Sequence, residues 1–577
     1  MARIIPTCEA KRLRKSLMSS ISGLTVALFF GAGGQGIAAT SEPDGGTYGS
    51  YLAAHVAAGQ HDMHEAARLY RATLDADPDN ADLANKAFLY AAASGDIDSA
   101  VDLAGKVVAH NADDRAARLA LAIGALHHHE FAAAREQLSQ SSHGPFTTLT
   151  LLMSDAWAAQ GMNDTNAALK DIDGLNKAGS TEALTAYHRA LILDLAGRDA
   201  EAETAYQSAL TQDNVNPRAV DAYGRFLERA GREADARAFY EKLKADENLA
   251  PIVNAGLTRL DSNEKPERLV ANVGQGAAEA LFGIAASLND ATSADIAVLY
   301  LRLALYLHPD FDLAKIVLAD RFEALKKFDD AIDVYRSIDG GSPYAAAAGI
   351  QIAIDEGKLD RKDAAIGDLN RITSSSPNDI SAWTSLGDAY RADDKDPQAV
   401  GAYDKAITLL GTPDKKDWPV FFARAVSEEG AKNWDAAEAD LKTALKLSPD
   451  EPEVLNYLGY SWVDRGRNLP QAVAMLEKAR ALSPYDGYIV DSVGWAYFKL
   501  GRYGDASKVL EQAVMLVPGD ATINEHYGDA LWMDGHKLDA HFQWNHALAF
   551  NTDPKGKLKI EKKLQDGLTV AQARAGD

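Results

Sequence analysis

The chain has 577 residues, too many for one compact core, so it divides into several domains or forms a repeat array. Its composition, 47% hydrophobic and 25% charged, is that of a folded protein and excludes a disordered one. With 59 basic against 83 acidic side chains, the net charge of −24 argues against nucleic acid and anionic lipid as partners.

At the N-terminus the basic stretch "KRLRK" (11–15) precedes the apolar run "ISGLTVALFFGA" (21–32) and the small residues "GIAATS" (36–41). This pattern predicts a signal peptide over 1–39, cut after Ala38, Ala39 or Thr40, with an uncleaved anchor helix as the alternative. The run is shorter than the ~20 residues of a membrane span, and no later run approaches that length. Cutting after Ala39 leaves 54 basic and 82 acidic residues, a charge of −28. The single cysteine, Cys8, would leave with the signal, so the mature chain would have no disulfide and no lipidated cysteine. The expectation is a soluble periplasmic protein, free or peripheral to the outer membrane, with no integral span.

From residue 47 onward the sequence repeats with a period of 34, the period of helix-turn-helix tetratricopeptide (TPR) repeats. The clearest copy starts at Ile380: Trp383, Leu386, Gly387 and Tyr390 take positions 4, 7, 8 and 11 of a first helix. Ala399, Tyr403 and Ala406 take positions 20, 24 and 27 of a second. Small residues at 8, 20 and 27 let two helices approach to ~8–10 Å, and large ones at 4, 7, 11 and 24 fill the space beside the crossing. Position 15 carries Gly95, Gly197, Gly231, Gly466, Gly501 and Gly535, where the first helix must stop. Position 32 carries Pro78, Pro309, Pro377, Pro449 and Pro518, which cannot continue the second.

The predicted fold is an all-α TPR solenoid, a right-handed superhelix of about fourteen repeats. Repeats begin near 47, 81, 115, 148, 183, 217, 278, 312, 346, 380, 418, 452, 487 and 521, those at 115, 148 and 346 being degenerate. An N-terminal array (47–245) is followed by an irregular joint or helical pair (246–276), a C-terminal array (277–551) and a cap helix (552–577). The repeat at Pro452 has one extra residue, for which Asn468 is expected to cap the second helix and Pro470 to enter its first turn.

Three patterns invite a chemical reading and fail it. "GAGGQG" (31–36) satisfies a dinucleotide-binding pattern, but no strand precedes it and it falls in the signal. Consecutive His127, His128 and His129 point in different directions on a helix and are expected at an exposed helix end. His536, His541 and His546 are five apart and drift around a helix. Nothing in the sequence argues for an enzyme, a cofactor or a metal; a degenerate site within 246–276 is the remote alternative.

In the TPR pattern, positions 2, 5, 9, 12 and 13 of the first helices line the concave face. For the last three repeats this places Asn456, Tyr460 and Asp464, then Tyr488, Asp491, Trp495, Phe498 and Lys499, then Glu525, Asp529, Trp532 and Met533 in one groove. Its five aromatics make a protein-binding patch, unless adjoining repeats or the cap helix cover them. The N-terminal first helices offer mostly alanine there, as in "SYLAAHVAA" and "ANKAFLYAAA", a surface that could still seat a helix. The partner is therefore expected on the C-terminal half.

"LGYSWVDRG" (458–466) followed by "DSVGWAYFKLGRY" (491–503) resembles the signature region of bacterial envelope TPR proteins. These include the lipoprotein adaptor of a periplasmic carboxyl-terminal processing protease. The resemblance covers the C-terminal third and implies a non-catalytic adaptor that assembles envelope proteins, a protease and its substrates among them. The chain departs from it in lacking a lipidated cysteine. The alternative is a structural component of exopolysaccharide synthesis or export, because an aromatic groove also suits sugar stacking.

Overall fold

The computed structural model describes residues 46–572 apart from 143, 176–181, 211–215, 247–248, 289–292, 552 and 571. The proposed signal peptide, its glycine-rich stretch and Cys8 lie outside the described residues. Among the described residues there are thirty α-helices, twenty-six of them in thirteen contacting pairs, and no strand. The pairs follow the sequence period: Ile380–Ala392 with Asp396–Leu410, for example, and Gly487–Lys499 with Tyr503–Leu516. The degenerate repeats at 115 and 148 are also helix pairs, and the one at 346 forms two helices, Ala345–Lys358 and Lys362–Ser375.

Five pairs are locked where a large side chain of the second helix lies on a glycine of the first, and in others alanine takes that place, as at Ala319 and Ala425. A β-carbon on Gly387 would stand 2.5 Å from the Tyr403 ring, on Gly494 2.5 Å from Leu510, and on Gly528 2.5 Å from Trp544. No such approach is sterically possible, so the absent side chain is the condition for the crossing. The ring that fills the crossing also finds a polar partner. Tyr206 donates to Asp194 (3.1 Å), Tyr240 to Glu228 (2.8 Å), Tyr335 to Asp320 and Glu323 (2.9 Å each), and Tyr403 to Asp388 (2.7 Å). In the last repeat Trp544 Nε1 replaces the phenol and donates to Asp529 at 2.9 Å. Burial, then the neighbouring carboxylate, raises these tyrosines above the ordinary phenol value, which keeps each a donor.

The turn between paired helices is left-handed at position 15 in thirteen repeats. Glycine supplies it at six, with φ from 62° at Gly466 to 95° at Gly95. His61, His129, Asn163, Lys326, Asp360, Asp394 and Lys432 adopt it at φ 54–65°. The packing of the two helices imposes this conformation even on a side chain that costs ~1–2 kcal/mol there. Asn468 departs from expectation. It sits at φ 49° with no capping hydrogen bond, so the extra residue of "RGRNLP" is absorbed by a second left-handed residue, and Pro470 enters the first turn as expected.

The chain divides into two compact units between Arg361 and Lys362. Inside the first, segment 246–276 contains one unpaired helix, Ala250–Ser262, packed on Pro217–Arg229 and Glu233–Leu243. The pair after it, Val273–Ser287 and Ala294–Leu307, does more than extend the stack: it packs on first helices of earlier repeats, namely Ala81–Ser94, Arg115–His127, Pro145–Gly161 and Glu182–Leu195. Gly276 lies flat on Trp157, Tyr187 donates to Glu279 (3.2 Å), Thr150 to Tyr300 (3.3 Å) and Tyr306 to Asp98 (2.6 Å). Arg218, buried beside Glu279, pairs with it through two nitrogens. The alanine-rich face of the N-terminal array thus seats a helix pair of its own chain. His127 to His129 are exposed at a helix end, with His127 stacked on Tyr306 at 4.1 Å.

The second unit runs from Lys362 to the last helix, Pro554–Asp566. Within it Glu428, on Trp418–Gly430, is buried with Oε2 unpartnered. Burial and the charge of Asp440 raise it to about 7, against the pull of Arg424.

We expect Gly387→Ala, and Ala506→Leu at the fully buried crossing of the Gly487 repeat, each to overpack and destabilise by ~1–3 kcal/mol, read from urea midpoints. Unfolded Glu428 loses its proton near 4.5 and the folded group near 7, so stability falls as pH rises between those values. Glu428→Gln removes this fall. Its stability relative to wild type should therefore be higher at pH 8 than at pH 5, and a pH-independent difference would refute the assignment.

Candidate functional site

The first helices of the last three repeats, Pro452–Asp464, Gly487–Lys499 and Ala521–Met533, stand side by side because each packs on the second helix before it. Together with the terminal helix they enclose a cleft of about 200 Å³. Of the sequence-predicted residues, Tyr460, Asp464, Trp495, Phe498, Lys499, Glu525 and Asp529 line it. Tyr488, half-buried, and Met533 are not among the lining residues, and Asn456 is buried with Oδ1 unpartnered.

The aromatic patch is not open. Trp495 is 9% exposed and Phe498 2%. They stack on each other with centroids 4.8 Å apart, and Trp495 stacks on His526 at 3.9 Å and 15°. His526 Nδ1 lies 2.9 Å from Asp491, which is fully buried. Asp491 therefore orients the imidazole from below and is withdrawn from the surface of the cleft. Lys499 Nζ lies over the Trp495 ring at 5.4 Å, a cation–π contact at the cleft edge. These rings form a rigid floor, and Tyr460, Asp464 and Lys499 form the accessible rim.

The other end of the predicted groove is covered by the C-terminal helix, the alternative the sequence left open. Lys563 is buried and places Nζ 2.7 Å from Glu525 and 2.6 Å from Asp529. Burial alone would lower its pKa, but Asp529 and Glu525 outweigh it and hold Lys563 above the ordinary value. Trp532 donates from Nε1 to the carbonyl of Leu568 (2.9 Å), and Gly567, at φ 73°, lies against the ring where a β-carbon would collide. Trp532 thus anchors the chain's own tail. His526, Thr522, Lys559 and Gln572 join the cleft without having been foreseen. A helical register names the faces of the repeats but not the residues that a following helix brings across them.

His536, His541 and His546 do not converge: His541 packs on Trp532 and Trp544, and His546 on Phe550. Among the described residues no group of three or more His, Cys, Asp or Glu is arranged to hold a metal, and no helix is long and apolar enough to cross a membrane.

Residues 422–487 and 494–552 match the tetratricopeptide repeat family. The TPR repeat-containing protein PA4667 of Pseudomonas aeruginosa is 27% identical over 219 residues, which cover 38% of this chain and 36% of that protein. The cytochrome c-type biogenesis protein CycH of Rhizobium meliloti is 32% identical over 110 residues, 19% of this chain and 28% of that one. The chain thus spans about a third of the length of these curated relatives. Among solved structures, the APC/C hetero-tetramer Cut9–Hcn1 covers 91% of this chain at 15% identity and a TM-score of 0.38, with 97% of its own chain covered. A tetratricopeptide repeat protein from Parabacteroides merdae covers 44% at 14% identity and a TM-score of 0.37, with 99% of its own chain covered.

Replacing Lys563 by Ala leaves Asp529 buried without its cation, while Glu525 keeps only Lys559 at 4.0 Å, which should cost ~3–5 kcal/mol and undock the last helix. Hydrogen exchange should accelerate over 554–566 and Trp532 emission shift to the red, while the repeats upstream of Tyr503 keep their protection. Unchanged exchange in the last helix would show that Lys563 does not hold it.

Proposed function

This chain carries tetratricopeptide repeats, units that serve as protein-interaction scaffolds, and on that premise we propose that it is a non-catalytic adaptor of the bacterial cell envelope. It binds other envelope proteins at the C-terminal cleft. The observation that carries this reading is the cleft itself: a preorganised floor of stacked Phe498, Trp495 and His526 beneath a rim of Tyr460, Asp464 and Lys499. A rigid aromatic floor loses little entropy on binding, and a mixed-charge rim selects orientation.

A periplasmic location is supported by the basic, apolar and small-residue order of residues 1–39. A protease and its substrates as the bound proteins are supported by the "LGYSWVDRG" and "DSVGWAYFKLGRY" resemblance. The biogenesis role in the name of the Rhizobium relative is in keeping with a protein that assembles others. Exopolysaccharide synthesis or export has weaker support. Sugar stacking needs an open aromatic face, and Trp495 is already stacked between protein rings with Trp532 under the tail.

The test is a crosslinked pull-down from periplasmic and membrane extract, comparing wild type with a Tyr460→Ala, Asp464→Ala, Lys499→Ala triple variant. These rim residues can be truncated without opening the core, unlike Trp495 or Trp532. The expected outcome is recovery of defined envelope proteins by wild type and at least a tenfold loss in the variant. Equal recovery by both would place the site elsewhere, and recovery of nothing above background would end the adaptor reading.

A further inference from the structure

The first helix of the array, Gly46–Gly59, is built into the fold by one face only. Ala54 and Ala57 are buried, and Tyr51 packs edge-on to Tyr70 and accepts a hydrogen bond from Lys86 Nζ at 3.0 Å. On another face Tyr48, Leu52 and Val56, four residues apart, are 87%, 63% and 58% exposed. In later repeats residues equivalent to Leu52 and Val56 pack on the preceding repeat, as Phe226 does on Tyr206, Tyr457 on Phe422 and His526 on Trp495. Ala222 and Phe226, Tyr457 and Ser461, Ser492 and Ala496, and His526 and Ala530 are all buried. Among the described residues the first helix therefore presents a stacking surface without a stack, and with larger apolar side chains than most of its equivalents.

We infer that this face pairs with the same face of a second copy. Three observations select that occupant. The helix GTYGSYLAAHVAAG contains no Asp, Glu, Lys or Arg, although the chain carries a charge of −24. Two copies repel one another over an acidic surface, and an uncharged helix is where they meet at least electrostatic cost. The stripe is also self-complementary about its centre. Antiparallel two-fold pairing puts Leu52 against Leu52 of the second copy on the axis and Tyr48 opposite Val56, large against small. Gly49 borders the stripe, and a β-carbon there would meet no atom within 4 Å, so the second helix can approach closely. A single helix of ~21 Å offers less than the ~800 Å² per partner of a stable dimer, so the association is weak and reversible.

The test is sedimentation equilibrium of the purified chain from low micromolar to several hundred micromolar, with residues 1–39 present and removed. A concentration-dependent dimer in both forms is expected. Leu52→Glu and Leu52→Lys should each be monomeric at the concentration where wild type is half dimeric, with unchanged helicity. Because residue 52 sits on the axis, mixing the two variants should restore a dimer, which separates a broken contact from a damaged fold. Met515→Glu, at an exposed apolar residue elsewhere, should leave the dimer intact. A monomer at every concentration, a dimer that survives both Leu52 substitutions, a mixture that stays monomeric, or association that requires residues 1–39 would overturn the inference.

Discussion

The fold depends on one repeated contact, a large side chain of a second helix resting on a small residue of the first, which at five crossings has no β-carbon at all. Tyr403 on Gly387, Leu510 on Gly494 and Trp544 on Gly528 are instances. The contact brings the helices close enough for the buried ring to hydrogen-bond an acidic residue next to the glycine or one turn beyond it, as in Tyr403 to Asp388 and Tyr240 to Glu228. Dispersion and a satisfied polar group reinforce each other at the same place. The left-handed turn follows from that geometry. Lys326 and Lys432 adopt it without glycine because the crossing of the two helices leaves the chain no other route between them.

The two units use their first-helix faces differently. In the N-terminal unit small side chains make a bed for the pair Val273–Ser287 and Ala294–Leu307. The polar groups at that seat are paired across it, Tyr187 and Arg218 with Glu279 and Tyr306 with Asp98. Charge is thereby consumed inside the unit. In the C-terminal unit the bed is aromatic and acidic, and a single short helix covers part of it through Lys563 and the Leu568 carbonyl. The remainder is the cleft whose rim carries Tyr460, Asp464 and Lys499.

Much of the fold was legible from residue spacing. The positions of Gly387, Ala399 and Tyr403 placed each helix pair, because period and side-chain size act locally, within a single repeat. The candidate site was legible only in part. Register assigned Tyr460, Trp495 and Asp529 to one face, and they do line one cleft. It did not disclose that His526 inserts against Trp495, that Asp491 is sealed beneath it, or that Gly567 and Leu568 close over Trp532. Those contacts join residues about 35 positions apart, across a repeat boundary. Asn468 is a local example of the same limit: its type suits both a cap and a left-handed turn, and the one-residue surplus in the loop selects the turn.

The sequence by itself determined that the chain is a helix-turn-helix repeat, roughly where most repeats begin, and which face of the last three first helices is turned inward. These are consequences of backbone propensity and a 34-residue period. Only the tertiary structure decided which inward faces remain available. Helices 273–307 return to the N-terminal face and the last helix to the C-terminal one, while among the described residues nothing covers the outer face of the first helix of the array. The physical reason is that burial is a property of pairs of surfaces, and a periodic pattern specifies one surface of each pair without naming the segment that meets it.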